Sequence, residues 1–268
     1  MELQILVASM HQSDFSLVHK MNIRTNAIIA NQTTQNTYDE QSYEFGKVQM
    51  ISTQTRGVGL NRNIAILAAE ADILLFADDD MYYYDGTLEG VKMAFADNPR
   101  ADVVIFSADI TRGGEIIKQK YNKKRRAHIW NAMKHGTYAV AIRRRSLLKA
   151  NLKFSELFGG GCPFSCGEDS LFIKACLDCG LKVYTDPYVL GACSKDTSSW
   201  FTGFNEKYLY DKGVLYSYLF PRIKHVVALY YGFRLRNKTK MSAIENIRMI
   251  NKGIANATKL KTYQEICV

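Results

Sequence analysis

The feature that most restricts the fold of this chain is an apolar run that ends in three consecutive aspartates. The run is Ile73 to Ala77, and the acids are Asp78, Asp79 and Asp80. An unbroken apolar run of this length is typical of a strand buried on both faces, which favours an α/β protein whose ligands bind at the carboxyl ends of the strands. Because adjacent carboxylates repel one another, the acids predict a bound cation, and hard divalent metals prefer oxygen ligands.

The acids have two other interpretations besides a metal site. Adjacent acids are also common in solvated turns, where they need no metal. Asp78, Asp80 and Glu89 have the spacing of the first, third and last ligands of an EF-hand calcium loop. Tyr82 and Tyr83 occupy positions where that loop needs a ligand and a glycine, and a strand rather than a helix precedes the acids. The calcium-loop interpretation therefore fails.

Strand-like and helix-like stretches alternate over the first two thirds of the chain. This order predicts a mostly parallel sheet, with some mixed pairing, flanked by helices. Aromatic-rich helices from about Trp200 onward predict a domain of residues 1–200 and a helical C-terminal extension of residues 201–268. The predicted strands are Leu3 to Ser9, Ala27 to Ala30, Val48 to Ser52, Ile73 to Ala77, Val103 to Ser107, Ile116 to Tyr121, Tyr138 to Arg143 and Val183 to Thr185. The predicted helices are Phe15 to Met21, Gly59 to Ala71, Gly86 to Ala96 and Glu168 to Cys179.

Composition limits the classes of protein that the chain can belong to. Hydrophobic residues make up 47% and charged residues 23%, as in a globular enzyme-sized domain. The net charge of +9 favours anionic partners such as phosphate, but no nucleic-acid-binding motif accompanies it, so we expect no nucleic acid partner. Met1 to Ser9 has no basic leader, no segment is apolar enough to span a bilayer, and the six cysteines are expected to be reduced thiols. These features predict a cytoplasmic protein.

Three further motifs are candidates for ligand binding. The turn from Arg56 to Asn63 carries glycines and enters a helix, which suits phosphate, although the glycines could serve the turn alone. Asn31 and Gln32 end the second predicted strand, where they could bond a base edge or cap a loop. Glu168 and Asp169 follow a glycine-rich loop at a helix start, where a carboxylate is either a helix cap or a general base.

Together these motifs resemble the family 2 glycosyltransferases of the GT-A fold, particularly the bacterial enzymes of capsule and exopolysaccharide synthesis. The resemblance covers roughly residues 1–200 and depends on the order and separation of the motifs. It implies a Rossmann-like α/β domain, with a mostly parallel mixed sheet, that binds a nucleotide sugar. The motifs that carry it are Ile5 to Gln12, Asn31-Gln32, Gly59 to Asn63, Asp72 to Asp80 and Gly167-Glu168-Asp169.

The resemblance also implies a role for each candidate residue. Asp80, with Asp78, would bind Mn²⁺ or Mg²⁺, and Asp78 would contact the ribose or uracil side of the nucleotide. Asp169 would take the proton from the acceptor hydroxyl, so that direct attack inverts the anomeric configuration. The other expected nucleotide-sugar-binding residues are Ser9, Asn31, Gln32, Arg56, Asn61, Arg62, Asp79 and Glu168.

The chain departs from the family pattern at the third metal ligand. Members of the family often place a histidine before a Ser/Thr-rich stretch ending in Trp, and this chain has Cys193 at the start of its stretch to Trp200. Cys193, Asp196 or water could complete the metal shell.

The expected activity is an inverting, metal-dependent hexosyl or N-acetylhexosaminyl transfer from a nucleotide sugar, expected to be a UDP-sugar. The expected acceptor is a glycan or a polyprenyl-diphosphate-linked glycan in cell-surface polysaccharide synthesis. Phe220 to Arg236 mixes apolar and basic residues, as an interfacial helix at the inner face of the cell membrane would, although a core helix with a basic rim fits equally well.

Two alternatives to a glycosyltransferase remain. A degenerate domain that serves as a binding or scaffold subunit would be expected to lack the acids, which are present here. A sugar-phosphate nucleotidyltransferase would carry a glycine-rich basic loop after the first strand, and Ser9 to Ser13 contains neither glycine nor a Lys or Arg.

Overall fold

A computed structural model of the chain contains an eleven-stranded mixed sheet with helices against both faces and a helical region at the C-terminal end. The structure describes residues 1–120, 123–133, 135–196 and 203–267. The strands are β1 (Leu3–Met10), β2 (Ala27–Gln32), β3 (Thr37–Tyr43), β4 (Gly46–Thr53), β5 (Ile73–Asp78), β6 (Met81–Tyr83), β7 (Val103–Arg112), β8 (Glu115–Lys120), β9 (Arg125–Arg126), β10 (Val140–Arg143) and β11 (Val183–Ser194). The helices are α1 (Ser16–Lys20), α2 (Val58–Ala68), α3 (Thr87–Asp97), α4 (Ile129–Ala132), α5 (Arg144–Lys149), α6 (Glu168–Asp178), α7 (Glu206–Leu219), α8 (Lys224–Leu235), α9 (Ala243–Asn256) and α10 (Tyr263–Cys267).

The order of strands across the sheet is β3-β4-β2-β1-β5-β10-β7-β11-β6, with β8 paired to β7 and β9 to β11. The block β4-β2-β1-β5 is parallel, and β10 is antiparallel to both of its neighbours. The predicted α/β fold, with a large sheet flanked by helices and a helical C-terminal region, is confirmed.

Alternating side chains of the central strands form the two cores of the sheet. Ile5 and Val7 of β1 pack on one face with α1 and α3, whereas Leu6 packs on the other face with α2 and α6. Every residue of β5 from Ile73 to Ala77 is at most 1% exposed, which is the two-sided burial that its unbroken apolar run predicts. The carboxyl ends of β1, β2 and β5 therefore meet at one edge of the sheet.

Several strands differ from the sequence-based prediction: β7 extends to Arg112, and β3, β6 and β9 are additional strands. β11 extends to Ser194 instead of ending at Thr185, because two register shifts let it continue past Asp186 and Pro187, which interrupt its apolar pattern. β3 was not predicted, since six of its seven side chains are exposed and it forms a polar edge of the sheet. The predicted strand Ile116 to Tyr121 is β8, and Tyr121 lies outside the described residues.

Smaller differences concern the ends of elements. α2 stops at Ala68 rather than Ala71, because Ala69 adopts an extended conformation before β5. The predicted strand from Tyr138 begins later: residues 137–139 form a single 3₁₀ turn, and β10 starts at Val140.

The C-terminal helices pack on one another and on the loop before α6. Phe158 and Phe164 of that loop share a core with α7 and α10. α7 and α9 cross with their backbones in contact: a Cβ on Gly213 would lie 2.0 Å from the carbonyl oxygen of Ile250. Within the described residues, no helix is long and apolar enough to span a membrane.

Candidate functional site

A cavity of about 420 Å³ opens at the carboxyl ends of β1, β2 and β5, where the sequence predicts the ligand site. The ends of these strands form one side of the cavity. The last residue of α1, the start of α2, the first turn of α6 and the end of β11 form the rest. Its lining residues are Ala8, Ser9, Met10, Lys20, Gln32, Val58, Asn61, Arg62, Asp78, Asp79, Asp80, Gly160, Glu168, Ser194 and Lys195.

Arg62 is the buried centre of the charged groups in this cavity. It is 3% exposed, and its guanidinium lies 5.1 Å from the ring centroid of Phe154. One terminal nitrogen donates to Asp78 Oδ1 at 2.6 Å, and the other lies 3.1 Å from Asp169 Oδ1 and 3.6 Å from Glu168 Oε1. Burial disfavours the charged guanidinium, yet the carboxylates together raise the pKa of Arg62 above its ordinary value. One planar cation thus holds carboxylates of β5 and α6 in fixed positions.

The three aspartates at the end of β5 have different surroundings. Asp78 is paired with Arg62, and Asp79 accepts a hydrogen bond from Ser9 Oγ at 2.8 Å. Among the described residues, Asp80 has no ion pair and accepts only from the thiol of Cys193, and burial followed by the charge of Asp78 raises its pKa to about 6. Asp80 is therefore the carboxylate whose charge is least compensated by the protein, and so the one most suited to a cation.

Cys193 contacts the carboxylate of Asp80. Its Sγ lies 3.5 Å from Asp80 Oδ1, and burial together with the charge of Asp80 raises the pKa of the thiol to about 12. A protonated thiol donates to the carboxylate, whereas a metal ligand would have to be the thiolate. Asp196, the other candidate for the third ligand, accepts hydrogen bonds from Gly113 N and Ser194 Oγ and does not line the cavity.

Glu168 and Asp169 lie side by side in the first turn of α6, on the opposite wall from β5. Asp169 Oδ1 accepts from Thr137 Oγ1 at 2.5 Å as well as from Arg62, which leaves Oδ2 near Gly136. Burial and the neighbouring Asp169 raise the pKa of Glu168 to about 7. The two carboxylates thus differ: Glu168 is the more enclosed, and Asp169 faces a second cavity.

The second cavity, of about 630 Å³, adjoins the first and shares Gly160, Glu168 and Lys195 with it. Asp169 lines only the second cavity, together with Lys207 and Lys212 of α7. Two ligands could therefore approach one another across the wall that Glu168 and Asp169 form.

The predicted polar residues of β1, β2 and α2 divide into two groups. Gln32 and Asn61 line the cavity, although their amides already bond the carbonyls of Gly57, and of Ser9 and Ala30. Asn31 and Arg56 do not line it. Asn31 is 1% exposed and bonds Gln12 and Ser52, and the Arg56 guanidinium contacts the carbonyls of Thr33 and Thr55.

The two glycines of the turn before α2 are required by the local structure. Gly57 has a φ of +109°, which side chains rarely adopt. A Cβ on Gly59 would lie 2.0 Å from the carbonyl oxygen of Ser155. These glycines let α2 start against the 154–155 segment, and this contact places Arg62 in the cavity.

Polar residues of the site to which the sequence assigns no role include Lys20, Ser194 and Lys195, which line the first cavity, and Thr137, which donates to Asp169. Lys195 lines both cavities, and its charge lowers the pKa of Asp80 against the larger effects that raise it. Lys195 directly follows Cys193 and Ser194 in the sequence, and this position could have marked it as a residue of the site. Lys20 and Thr137 reach the site through the fold, and no pattern in the sequence marks them.

The donor atoms suit a divalent cation that is shared with a substrate. Within the residues that the structure describes, no three His, Cys, Asp or Glu side chains converge into an all-protein metal site. Mg²⁺ in proteins is commonly held by one or two carboxylates, with substrate phosphates completing its shell. Asp78 and Asp80 fit that arrangement, and the raised pKa of Asp80 reflects negative charge that a cation would compensate.

Comparison with known proteins finds a family model that matches part of the chain and solved structures with a similar fold over nearly all of it. Residues 25–152 match the family model described as glycosyl transferase family 2. The structure of residues 1–349 of TarS from S. aureus in complex with UDP-GlcNAc aligns with a TM-score of 0.59 at 13% identity, covering 98% of this chain and 74% of that chain. The same TarS fragment with UDP aligns at 0.57 and 14% identity, covering 97% of this chain and 72% of the other. At such low identity these structures show only that the folds are similar. A comparison with curated protein sequences found no significant match.

Proposed function

We propose that this protein is an inverting, metal-dependent glycosyltransferase of family 2 that uses a UDP-sugar, a proposal supported by the match of residues 25–152 to the family model. The observation that carries the proposal is the adjacency of the two cavities, with Asp78 and Asp80 in the first and Asp169 facing the second. The first cavity would hold the donor, and the second would hold the acceptor.

The choice of donor is supported by the similar fold of TarS, which has been crystallised with UDP and with UDP-GlcNAc. The transferred group would accordingly be a hexosyl or N-acetylhexosaminyl unit. Lys20 and Lys195 on the rim of the first cavity would face the diphosphate.

Asp80 and Asp78 would hold Mn²⁺ or Mg²⁺ together with the donor diphosphate. When bound, the cation would screen the diphosphate charge and stabilise the nucleoside diphosphate as a leaving group. Arg62 keeps Asp78 and Asp169 at fixed positions on opposite walls, so the donor and the base are oriented by one side chain.

Asp169 would act as the general base. Thr137 and Arg62 bond its Oδ1, so Oδ2 can receive the proton of an acceptor hydroxyl in the second cavity. The deprotonated oxygen attacks the anomeric carbon as the carbon–oxygen bond to the diphosphate breaks on the opposite face. The products are the inverted glycoside and UDP, and the proton stays on Asp169.

The second cavity favours an acceptor with negative charge. Lys207 is paired with Asp211 at 2.6 Å, but Lys212 has no carboxylate within ion-pair distance among the described residues. A cation next to a cavity without a carboxylate partner suits a phosphate. We therefore favour a polyprenyl-diphosphate-linked glycan as the acceptor, in capsule or exopolysaccharide synthesis at the inner face of the membrane.

The metal assignment is tested by calorimetric titration of UDP with and without Mn²⁺. Asp80→Ala should abolish the metal-dependent part of UDP binding, because it removes the uncompensated carboxylate of the first cavity. Asp196→Ala is the matched control, since this acid lies two residues from Ser194 but outside the cavity, and it should bind as the wild type does. The assignment fails if Asp196→Ala loses binding and Asp80→Ala keeps it.

The base is tested by Asp169→Asn, which should bind UDP nearly normally and lose sugar transfer. Full transfer by this variant would exclude Asp169 as the base. A panel of nucleotide sugars, screened for metal-dependent hydrolysis and thermal stabilisation, should select one UDP-sugar. Binding of UDP without turnover of any donor, even with added acceptors, would instead support a binding subunit.

A further inference from the structure

Helix α8 has an apolar stripe on the face that points away from the protein. Its inner face buries Val227, Ala228, Gly232 and Leu235. The outer face carries four large apolar side chains at helical spacing, and each is at least half exposed: Val226 (65%), Leu229 (50%), Tyr230 (57%) and Phe233 (51%). A helix that serves only as part of the core would place polar residues at these outer positions.

The charge along α8 and its flanking segments is positive, and the acids nearest to it in the sequence are Asp211 and Glu245. Residues 212–244 contain seven Lys or Arg and no Asp or Glu. Arg222 lies before the helix and Arg234 and Arg236 lie at its end, and all three are exposed. Arg234 donates to the hydroxyl of Tyr230 at 3.0 Å, so one basic group is held at the edge of the stripe.

The surface continues beyond α8 in both directions. Ile223 before the helix is 39% exposed, and Ile244 at the start of α9 is 68% exposed. Trp130, which is 67% exposed, stacks on Phe220 with ring centroids 5.6 Å apart. Trp130 belongs to α4, and Met133, which ends this helix, lines the second cavity.

We propose that the outer face of α8 binds the surface of an anionic lipid bilayer, with its apolar stripe in the headgroup region and its basic residues among the lipid phosphates. A large apolar stripe flanked by Lys and Arg, on a helix too short to span, is the pattern of an in-plane interfacial helix. The total absence of acids over residues 212–244 favours anionic lipid over a second copy of this chain, whose identical face would bring like charges together. The proposal rests on the proposed function only in explaining why the contact is useful, namely access to a lipid-linked acceptor.

The test is co-sedimentation of the full chain with vesicles, without donor, metal or acceptor, so that its outcome is independent of the proposed chemistry. The wild type should bind phosphatidylglycerol-containing vesicles and bind pure phosphatidylcholine vesicles at least about tenfold more weakly, with the difference shrinking at high salt. Leu229→Gln with Phe233→Gln should lose most of the binding. Arg234→Gln with Arg236→Gln should lose the preference for anionic lipid.

The matched control is Leu67→Gln with Met93→Gln, which removes two apolar side chains of α2 and α3 that are even more exposed than Leu229 and Phe233. It should bind vesicles as the wild type does, and thermal unfolding of all variants should confirm that they fold. Equal loss of binding in the control, or no preference for anionic vesicles, would overturn the proposal. A concentration-dependent dimer that Leu229→Gln with Phe233→Gln abolishes, without vesicle binding by the wild type, would assign the face to self-association instead.

Discussion

Basic side chains are used in opposite ways at the strand ends and on α8. Arg62 is 3% exposed and contacts three carboxylates, so its charge is matched inside the protein. Arg234 and Arg236 are exposed in a stretch of the chain without any acid. Their charge is therefore not neutralised by a neighbouring carboxylate of that stretch and can interact with a binding partner. The first region depends on the geometry of individual pairs, whereas the second depends on the composition of a surface. Substitutions should therefore affect folding strongly in the first region and weakly in the second.

The largest effect is expected from Arg62→Met. Removing one partner of a buried ion pair leaves the others uncompensated, and we expect the free energy of unfolding to fall by about 3–5 kcal/mol. Urea denaturation measures this loss, and UDP binding should fall with it because Asp78 is no longer held. Arg144→Met is the matched control: the Arg144 Nε donates only to the carbonyl of Ala69, so the loss should be smaller and UDP binding unchanged.

The next effect concerns the contact between the backbones of α7 and α9. Gly213→Val places a side chain where the carbonyl of Ile250 would be 2.0 Å from its Cβ, so the helices must separate. We expect a destabilisation of about 3 kcal/mol from overpacking. Gly180→Val is a useful comparison, because nothing lies within 4 Å of its Cβ position, although its φ of +77° adds local strain. A larger loss at Gly180 than at Gly213 would contradict the close crossing.

A pH-dependent effect is expected at Glu168, whose pKa is raised to about 7 by burial and by Asp169. A carboxyl with a raised pKa stabilises the folded state while it is protonated, fully so below its ordinary value of 4.5. That contribution is lost as the pH rises through about 7. The unfolding free energy of the wild type should fall across this window by on the order of 2 kcal/mol more than that of Glu168→Gln. Parallel pH profiles would show that Glu168 does not carry the shift.

A smaller effect is expected from Thr137→Val, which removes the hydroxyl that donates to Asp169 Oδ1 but keeps the side-chain shape. Loss of this hydrogen bond should cost about 1 kcal/mol of stability. If Thr137 positions the base, kcat should fall while the KM for the donor stays unchanged. Thr137→Ser keeps the hydroxyl and should restore kcat, and a failure to do so would leave Thr137 with a packing role only.

The smallest effect on folding should come from the outer face of α8. Leu229→Gln with Phe233→Gln changes exposed side chains, and stability should stay within about 0.5 kcal/mol of the wild type for each substitution. Urea denaturation measures this directly. A loss comparable to that of Arg62→Met would mean that the stripe packs against the protein rather than facing outward.

Local patterns in the sequence predict the parts of the fold that are regular. The predicted strands β1 and β5 are confirmed, because burial on two faces selects apolar residue types directly. β3 is held by pairing with β4 and has no apolar face to reveal it. β11 runs past Pro187 because its register shifts on β7, and a register shift depends on the partner strand rather than on local sequence.

The same distinction holds for the site. Asp78, Asp80 and Asp169 are candidates because carboxylates at strand and helix ends are visible in the sequence, and the turn before α2 makes Arg62 a candidate as well. The ion pairs of Arg62 with Asp78 and Asp169 have no local signal, since they depend on where α2 lies relative to α6, over a separation of more than a hundred residues. Asn31 and Arg56 are outside the cavity because nearby carbonyls and hydroxyls already occupy their polar atoms.

The glycine contact between α7 and α9 joins two surfaces that lie on different sides of the helical region. α7 lines the second cavity through Lys207 and Lys212, and α9 packs against α8. Because the backbones of α7 and α9 are in contact, neither helix can shift along the other without a steric clash. If the outer face of α8 rests on a surface, this packing would fix the distance of Lys207 and Lys212 from that surface.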